Sequence, residues 1–215
     1  MNNHALGSLQ SLQLGEVTDN QDPDSRGRIK VRLLAAPMEL WASVIAPSAG
    51  NGYGTAFIPR LNEIVVLAFV TPEMPLVLGS VWAGSSSTPQ EASDPEKNYV
   101  IRTPANTVMD FNDDSSSGPK VQIKTQSGYN ITINESNGGE ILIERSDQSV
   151  KLSSSGIDIT SSGQVHIQAS TVTVDASMVT VNASMSKFSG VVQCDTIIAT
   201  AVVGSSYTPG AGNIW

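Results

Sequence analysis

Histidine, cysteine and basic residues are scarce, and each scarcity removes a class of chemistry. The 215 residues hold two histidines, His4 and His166, and one cysteine, Cys194. A single cysteine excludes an intrachain disulfide and a cysteine-built zinc site. Two histidines leave few options for histidine-dependent catalysis. Lys and Arg total 12 against 20 Asp and Glu, for a net charge of −8. A phosphate-tracking nucleic-acid binder needs the opposite balance. No apolar run approaches the ~18 residues of a membrane-spanning helix. Residues Met1 to Leu14 lack a basic stretch followed by an apolar one, so no signal peptide is expected. Aromatic residues are few beyond Val150, where they are Phe188, Tyr207 and Trp215.

What is present divides near residue 85. Before it, short β runs alternate with turn signals. Val17 to Asp19 leads into a turn-rich stretch, and Arg28-Ile29-Lys30-Val31-Arg32-Leu33 alternates polar and apolar residues with period two. Leu40 to Pro47 follows, carrying Trp41, Val44 and Ile45. Next comes the glycine-rich turn Ala49 to Gly54, where glycine supplies left-handed backbone. Phe57-Ile58-Pro59, the apolar run Ile64 to Val70, and Pro75 to Trp82 complete this half. Such short runs in ~80 residues predict a small closed Greek-key barrel of the OB type, which leaves no open strand edge.

A Ser-, Pro- and charge-rich stretch sets a linker at residues 85–99. Beyond it the text becomes repetitive. Apolar-polar-apolar units recur at Val121/Ile123, Ile131/Ile133, Ile141/Ile143, Val150/Leu152, Ile157/Ile159, Val165/Ile167, Val172/Val174 and Val179/Val181. Their starts lie 10, 10, 9, 7, 8, 7 and 7 residues apart, an internal repeat of drifting period. Strands this short cannot bury a core alone. The economical solution is a homotrimer, three chains wound into a triangular prism with Val, Ile and Leu on the axis and each strand paired to a neighbouring chain. About twelve strands at ~4.8 Å each give a shaft of roughly 60 Å. A single-chain right-handed β-helix is the competing architecture. The all-β organisation expected is thus an extension at 1–13, an OB-fold domain at 14–84, a linker at 85–99, an intertwined triple-stranded β-helix at 100–205 and a terminal segment at 206–215.

Several spaced motifs carry a family resemblance. Asp22-Pro23 with Gly27-Arg28-Ile29-Lys30-Val31-Arg32 resembles the opening hairpin of the phage baseplate assembly protein V and VgrG spike family. Trp41, Val44, Ala46-Pro47 and Ala49-Gly50 resemble its next strand and turn. Phe57-Ile58-Pro59 with Glu63-Ile64-Val65-Val66-Leu67-Ala68-Phe69 resembles its central strand pair, and Pro75-Leu76-Val77-Leu78-Gly79-Ser80-Val81-Trp82 its closing strand. The similarity spans about residues 14 to 84. One departure is Asn62-Glu63, where the family usually has Gly-Asp. The resemblance implies an OB domain, a trimeric β-helical spike, and a place at the tip of a contractile tail or injection machine. It implies a partner hub in the baseplate and a location in the virion or injection particle, with the spike driven through a target cell envelope by sheath contraction.

The remaining chemistry is weighed residue by residue. Some short spikes of this family end in a His-x-His pair that holds iron on the three-fold axis, and this chain has no such pair. His166, between inward Val165 and Ile167, is expected on the solvent side, with a three-histidine ring as the alternative. Asp110, Asp113 and Asp114 could attract calcium, but their spacing is not that of an EF-hand and a solvated turn is the plainer expectation. Arg26 with Arg28, Lys30 and Arg32 suggests a solvated strand face or a salt-linked subunit contact, not a nucleic-acid groove. No Gly-x-Ser-x-Gly elbow occurs, and the linker has no room for a glycosidase domain with paired carboxylates. No enzyme activity, cofactor or metal is expected. At the end of the chain, Tyr207, Pro209, Ile214 and Trp215 suggest either an end-cap or a docking platform for a separate PAAR-type tip protein. Three chains together would carry about −24 charges, keeping needles soluble and making penetration depend on force. Two rivals are a tail-fibre-like trimeric adhesin binding a surface receptor and a β-helical polysaccharide lyase.

Overall fold

The computed structural model describes residues 12–85, 87–116 and 118–206. The chain divides between residues 165 and 166 into two units. The first is all-β, apart from two short 3-10 turns, and holds a barrel and a sheet.

The barrel is formed by β1 (Gln13–Asp19), β2 (Arg28–Leu33), β3 (Glu39–Val44), β6 (Ile64–Thr71) and β7 (Met74–Val81), with a small hairpin, β4 (Ala49–Gly50) and β5 (Tyr53–Gly54), between β3 and β6. Around the closed barrel the order is β1-β2-β3-β7-β6. All neighbours are antiparallel except β3 and β7, whose parallel pairing sets Ser43 opposite Leu76 and Val44 opposite Val77. This Greek-key closure is the expected OB architecture. Alternation in β2 turns Ile29, Val31 and Leu33 inward, where they pack with Val17, Ala42, Val65, Leu67, Phe69 and Val77. Gly15 belongs to the same interior. A Cβ there would lie 2.3 Å from Val31 Cγ1 and 3.1 Å from Leu67 Cδ1, so β1 can approach β2 and β6 only with glycine.

Three local expectations differ from what forms. β3 ends at Val44, because Pro47 cannot continue a hydrogen-bonded ladder. Phe57-Ile58-Pro59 is irregular and not a strand. The turn Ala49 to Gly54 is a two-stranded hairpin whose Asn51-Gly52 tip places Gly52 at φ 79, the dipeptide that such turns favour.

The stretch after the barrel is tied down, not a loose tether. A 3-10 turn, Gln90–Ser93, presents Glu91 to Arg102, and Lys97 lies 3.6 Å from Asp94 and 3.5 Å from Asp114. The Arg102 hydrogen bond, before any other cause, holds the Glu91 carboxyl below its ordinary value.

The sheet comprises β8 (Asn98–Arg102), β9 (Val108–Asn112), β10 (Lys120–Lys124), β11 (Asn130–Asn134), β12 (Glu140–Arg145), β13 (Gln148–Ser153) and β14 (Gly156–Thr160). Each strand pairs antiparallel with the next in sequence. These strands therefore pair with their own chain, where the repeat suggested pairing with neighbouring chains. The cause lies in the turns. Every reversal carries a left-handed residue: Asn106, Gly118, Gly128, the Gly138-Gly139 pair, Ser146 and Gly156.

The second unit begins at His166. Among its described residues no strand forms and all side chains are exposed. No glycine occurs between Gly163 and Gly190, and none of the described residues from 166 onward has a positive φ. The chain bends here without the left-handed turns seen in the sheet, and its described residues form no ladder with one another.

Candidate functional site

The candidate site is one face of the seven-stranded sheet. In each strand, alternation puts two residues on that face, and the register lines them into two columns. One column runs Tyr99, Phe111, Val121, Ile133, Ile141, Leu152, Ile157. The other runs Ile101, Met109, Ile123, Ile131, Ile143, Val150, Ile159. Every position in both is apolar. Spacing alone found the units from Val121 onward. It missed Tyr99/Ile101 and Met109/Phe111, which share the apolar-x-apolar pattern but carry an aromatic or methionine in place of an aliphatic residue.

Burial on the sheet is inverted. Ile131, Ile133, Ile141, Ile143, Leu152, Ile157 and Ile159 are exposed, while Gln122, Thr132, Leu142 and Lys151 behind them are half-buried. The opposite face has its own polar network. Gln122 Nε2 donates to Asn130 Oδ1 and Thr132 Oγ1 at 3.0 Å each, and Asn130 Nδ2 donates to Glu144 Oε1 at 2.8 Å. Lys151 Nζ lies 2.9 Å from Glu140 Oε2, and that partner raises the lysine above its usual value. A sheet with one hydrogen-bonded polar face and one bare apolar face is built to be covered.

Near the barrel, Ile101 also lines a cleft of about 810 Å³ with Phe57, Ile58, Trp82 and Arg102. A second hollow of about 450 Å³ sits by the β4–β5 hairpin, lined by Ile45, Tyr53, Phe57 and Ile58 among others. The Tyr53 ring lies over Gly50, where a Cβ would come within 2.2 Å of Tyr53 Cζ.

Arg28, Lys30, Arg32, Asp110 and Asp114, all flagged in the sequence, have structural partners. Asp22 receives Arg28 Nε at 3.1 Å and Arg28 Nη2 at 2.8 Å, together with the backbone N–H groups of Asp24, Arg26 and Arg28. The Arg28 side chain, first among these, holds the Asp22 carboxyl far below the carboxylate range. Arg28 also lies 5.7 Å from the Trp41 ring centre. Lys30 pairs with Glu39 at 3.1 Å and Arg32 pairs with Glu16. These basic residues are engaged within the barrel itself. Asp110 is buried and accepts from Asn98 Nδ2, whereas Asp114 accepts from Ser116 and faces Lys97. The three aspartates do not converge, and among the described residues no group of three or more His, Cys, Asp or Glu side chains is placed to hold a metal. His166 is exposed. His4, Tyr207, Pro209, Ile214 and Trp215 lie outside the described residues.

The turn that departs from the family motif is informative. Asn62 sits at φ 68, a left-handed position that glycine fills freely and asparagine tolerates. Its N–H donates to Val17 O at 2.9 Å, and Glu63 Oε2 accepts from Ser80 Oγ at 3.0 Å. Asn62 and Glu63 thus tie this turn to β1 through the backbone and to β7 through a side chain.

The five-stranded barrel, its parallel closure and this turn coincide with a family match. The family model of the type VI secretion system/phage-baseplate injector OB domain covers residues 13–82. The barrel is similar to the injector OB domain of the baseplate and VgrG-like spike family. Over 123 residues, 51% of its length, the chain is 23% identical to the type VI secretion system spike protein VgrG3 of Vibrio cholerae serotype O1. That stretch is 12% of the relative's length, so most of the relative has no counterpart here. The injector OB domain is followed by the apolar-faced sheet, and no helix among the described residues is long and apolar enough to cross a membrane.

Proposed function

We propose that three copies of this chain assemble into a mechanical spike at the tip of a contractile tail or injection machine. The observation that carries this reading is the two-column apolar face, since three such faces turned inward make a prism with a dry axis and an outer polar surface. The second unit supports it from the other side. A segment with apolar doublets and no strand pairing of its own calls for strands from other chains to satisfy its backbone. The three chains wind into a triple-stranded β-helix there, and the paired backbone makes the shaft stiff under axial load.

In this reading the injector OB domain docks to the baseplate hub through the exposed hollow around Tyr53, Phe57 and Ile58. Sheath contraction then drives the shaft through a target envelope. The protein does no chemistry, and a PAAR-type tip protein seats on the segment that ends at Trp215. The decisive experiment is the solution mass of the full chain by light scattering. A mass three times that of one chain supports the spike. A monomer overturns it, and glycan binding in a screen together with a trimer favours the adhesin instead.

A further inference from the structure

We infer that the shaft narrows in a step, and that residues 190–205 bring three copies of the chain to a closer common axis than residues 170–184 do. This rests on the trimeric reading above. The observation behind it lies wholly within the second unit and concerns where the backbone bends. Bends fall at Ser170, Ser177 and Ser184, seven residues apart, then at the adjacent Ser189 and Gly190, and from Gly190 on at Asp195, Thr200 and Ser205, five apart. The residues follow the same change. Ala169-Ser170-Thr171-Val172-Thr173-Val174-Asp175 is echoed by Ala176-Ser177-Met178-Val179-Thr180-Val181-Asn182. From 191 the text breaks into Val191-Val192-Gln193-Cys194-Asp195, Thr196-Ile197-Ile198-Ala199-Thr200 and Ala201-Val202-Val203-Gly204-Ser205.

In a three-chain prism each bend is a corner, and one repeat crosses one face. At ~3.3 Å per extended residue, a seven-residue repeat spans about 23 Å of chain and a five-residue repeat about 17 Å. The perimeter therefore falls to roughly 0.7 of its value across the step. The side chains available for the axis shrink in parallel. In each five-residue unit the second position is less exposed than the neighbouring apolar one. Val192 is 56% exposed against 95% for Val191, Ile197 69% against 97% for Ile198, and Val202 73% against 100% for Val203. Period-two alternation puts the fourth position on the same side as the second. The axis-facing pairs become Val192/Cys194, Ile197/Ala199 and Val202/Gly204, where the seven-residue repeats offer Val172/Val174 and Val179/Val181. A narrower prism has less interior to fill, and close packing requires that large pairs give way to one large and one small residue. Repeat length and residue volume change together at residue 190.

The test places one spin label per chain at a corner on either side of the step. In a Cys194→Ser background, Ser177→Cys and Thr200→Cys are labelled separately in the full chain, and the distances between labels within the assembly are measured by pulsed electron paramagnetic resonance. The expected distance at 200 is shorter than at 177 by about 6 Å, the length of two extended residues. Equal distances in a protein of trimeric mass overturn the step and leave the trimer standing. A protein of monomeric mass, with no distance at either site, overturns both. The unlabelled chain gives an independent check by cryo-electron microscopy, since a shaft of constant width between the two levels also overturns the inference.

Discussion

The barrel and the sheet are written in the same alternating script and end in opposite states. In the barrel, Ile29, Val31, Leu67 and Val77 are fully buried because five strands close on themselves. In the sheet, Ile131, Ile141 and Ile143 occupy equivalent alternate positions and remain exposed because seven strands run on as an open meander. Composition does not separate them. Closure does, and closure depends on the parallel β3–β7 pair, which a sequence-order meander never makes. One chain completes the first domain, whereas the second keeps an apolar face that its own strands leave exposed. The sharpest way to break this contrast is a charge in the middle of that face. Ile143→Asp sits between Ile131 and Val150. It should abolish the proposed trimer, with light scattering reporting single chains, because three uncompensated carboxylates would meet in a dry axis. Lys151→Ala, on the polar face, should leave the mass unchanged. An unaltered trimer in Ile143→Asp would mean that the apolar face is not the interface.

The barrel half of the comparison is tested by a cavity. Leu67 is fully buried against its neighbours, so Leu67→Ala should cost about 2–5 kcal/mol of barrel stability in denaturant unfolding. The same truncation at the exposed Ile157 should cost the isolated chain far less. Comparable losses at both sites would show that the sheet carries a core of its own.

Much of this was legible in the residues, and the failures are physical. The barrel could be found because Arg28 to Leu33 and Ile64 to Val70 announce strands, and turn residues stand between them. The apolar columns from Val121 onward could be found because a period of two survives any loop length. The choice of partner strand could not. Whether a unit folds back or runs on depends on a left-handed residue at the turn, and Asn106 and Ser146 supply it without glycine. The charges of β2 pointed outward as expected, but nothing local to them announced that Asp22, Glu39 and Glu16 would each take one.

A smaller effect tests how tightly the barrel closes. Gly15 has Val31 and Leu67 within reach of any added side chain. Gly15→Val should destabilise the barrel by about 1–3 kcal/mol through overpacking, read as a lower midpoint in thermal or denaturant unfolding. Gly79, around which no atom lies within 4 Å of an added Cβ, should accept alanine with little change. If the two substitutions cost the same, backbone entropy and not closeness governs β1.

The mildest contrast concerns acid, since the barrel owns a buttressed carboxylate while the sheet's Lys151–Glu140 pair is partly exposed. The Arg28 side chain, helped by backbone N–H groups, lowers Asp22 well below its usual value in the folded state. A depressed carboxylate contributes stability that is complete above the unfolded value of about 3.9. As pH falls below that point the unfolded chain binds a proton while folded Asp22 does not, so the contribution declines. It is exhausted only when the folded value is reached. The melting-temperature gap between the natural chain and Asp22→Asn should therefore be flat from pH 7 to pH 5 and shrink only below about pH 4. Arg28→Met should remove the pH dependence of that gap along with most of the gap itself. A gap that stays constant from pH 7 down to pH 2 would mean that Asp22 binds its proton in the folded barrel as it does in the unfolded chain, and that Arg28 does not hold it.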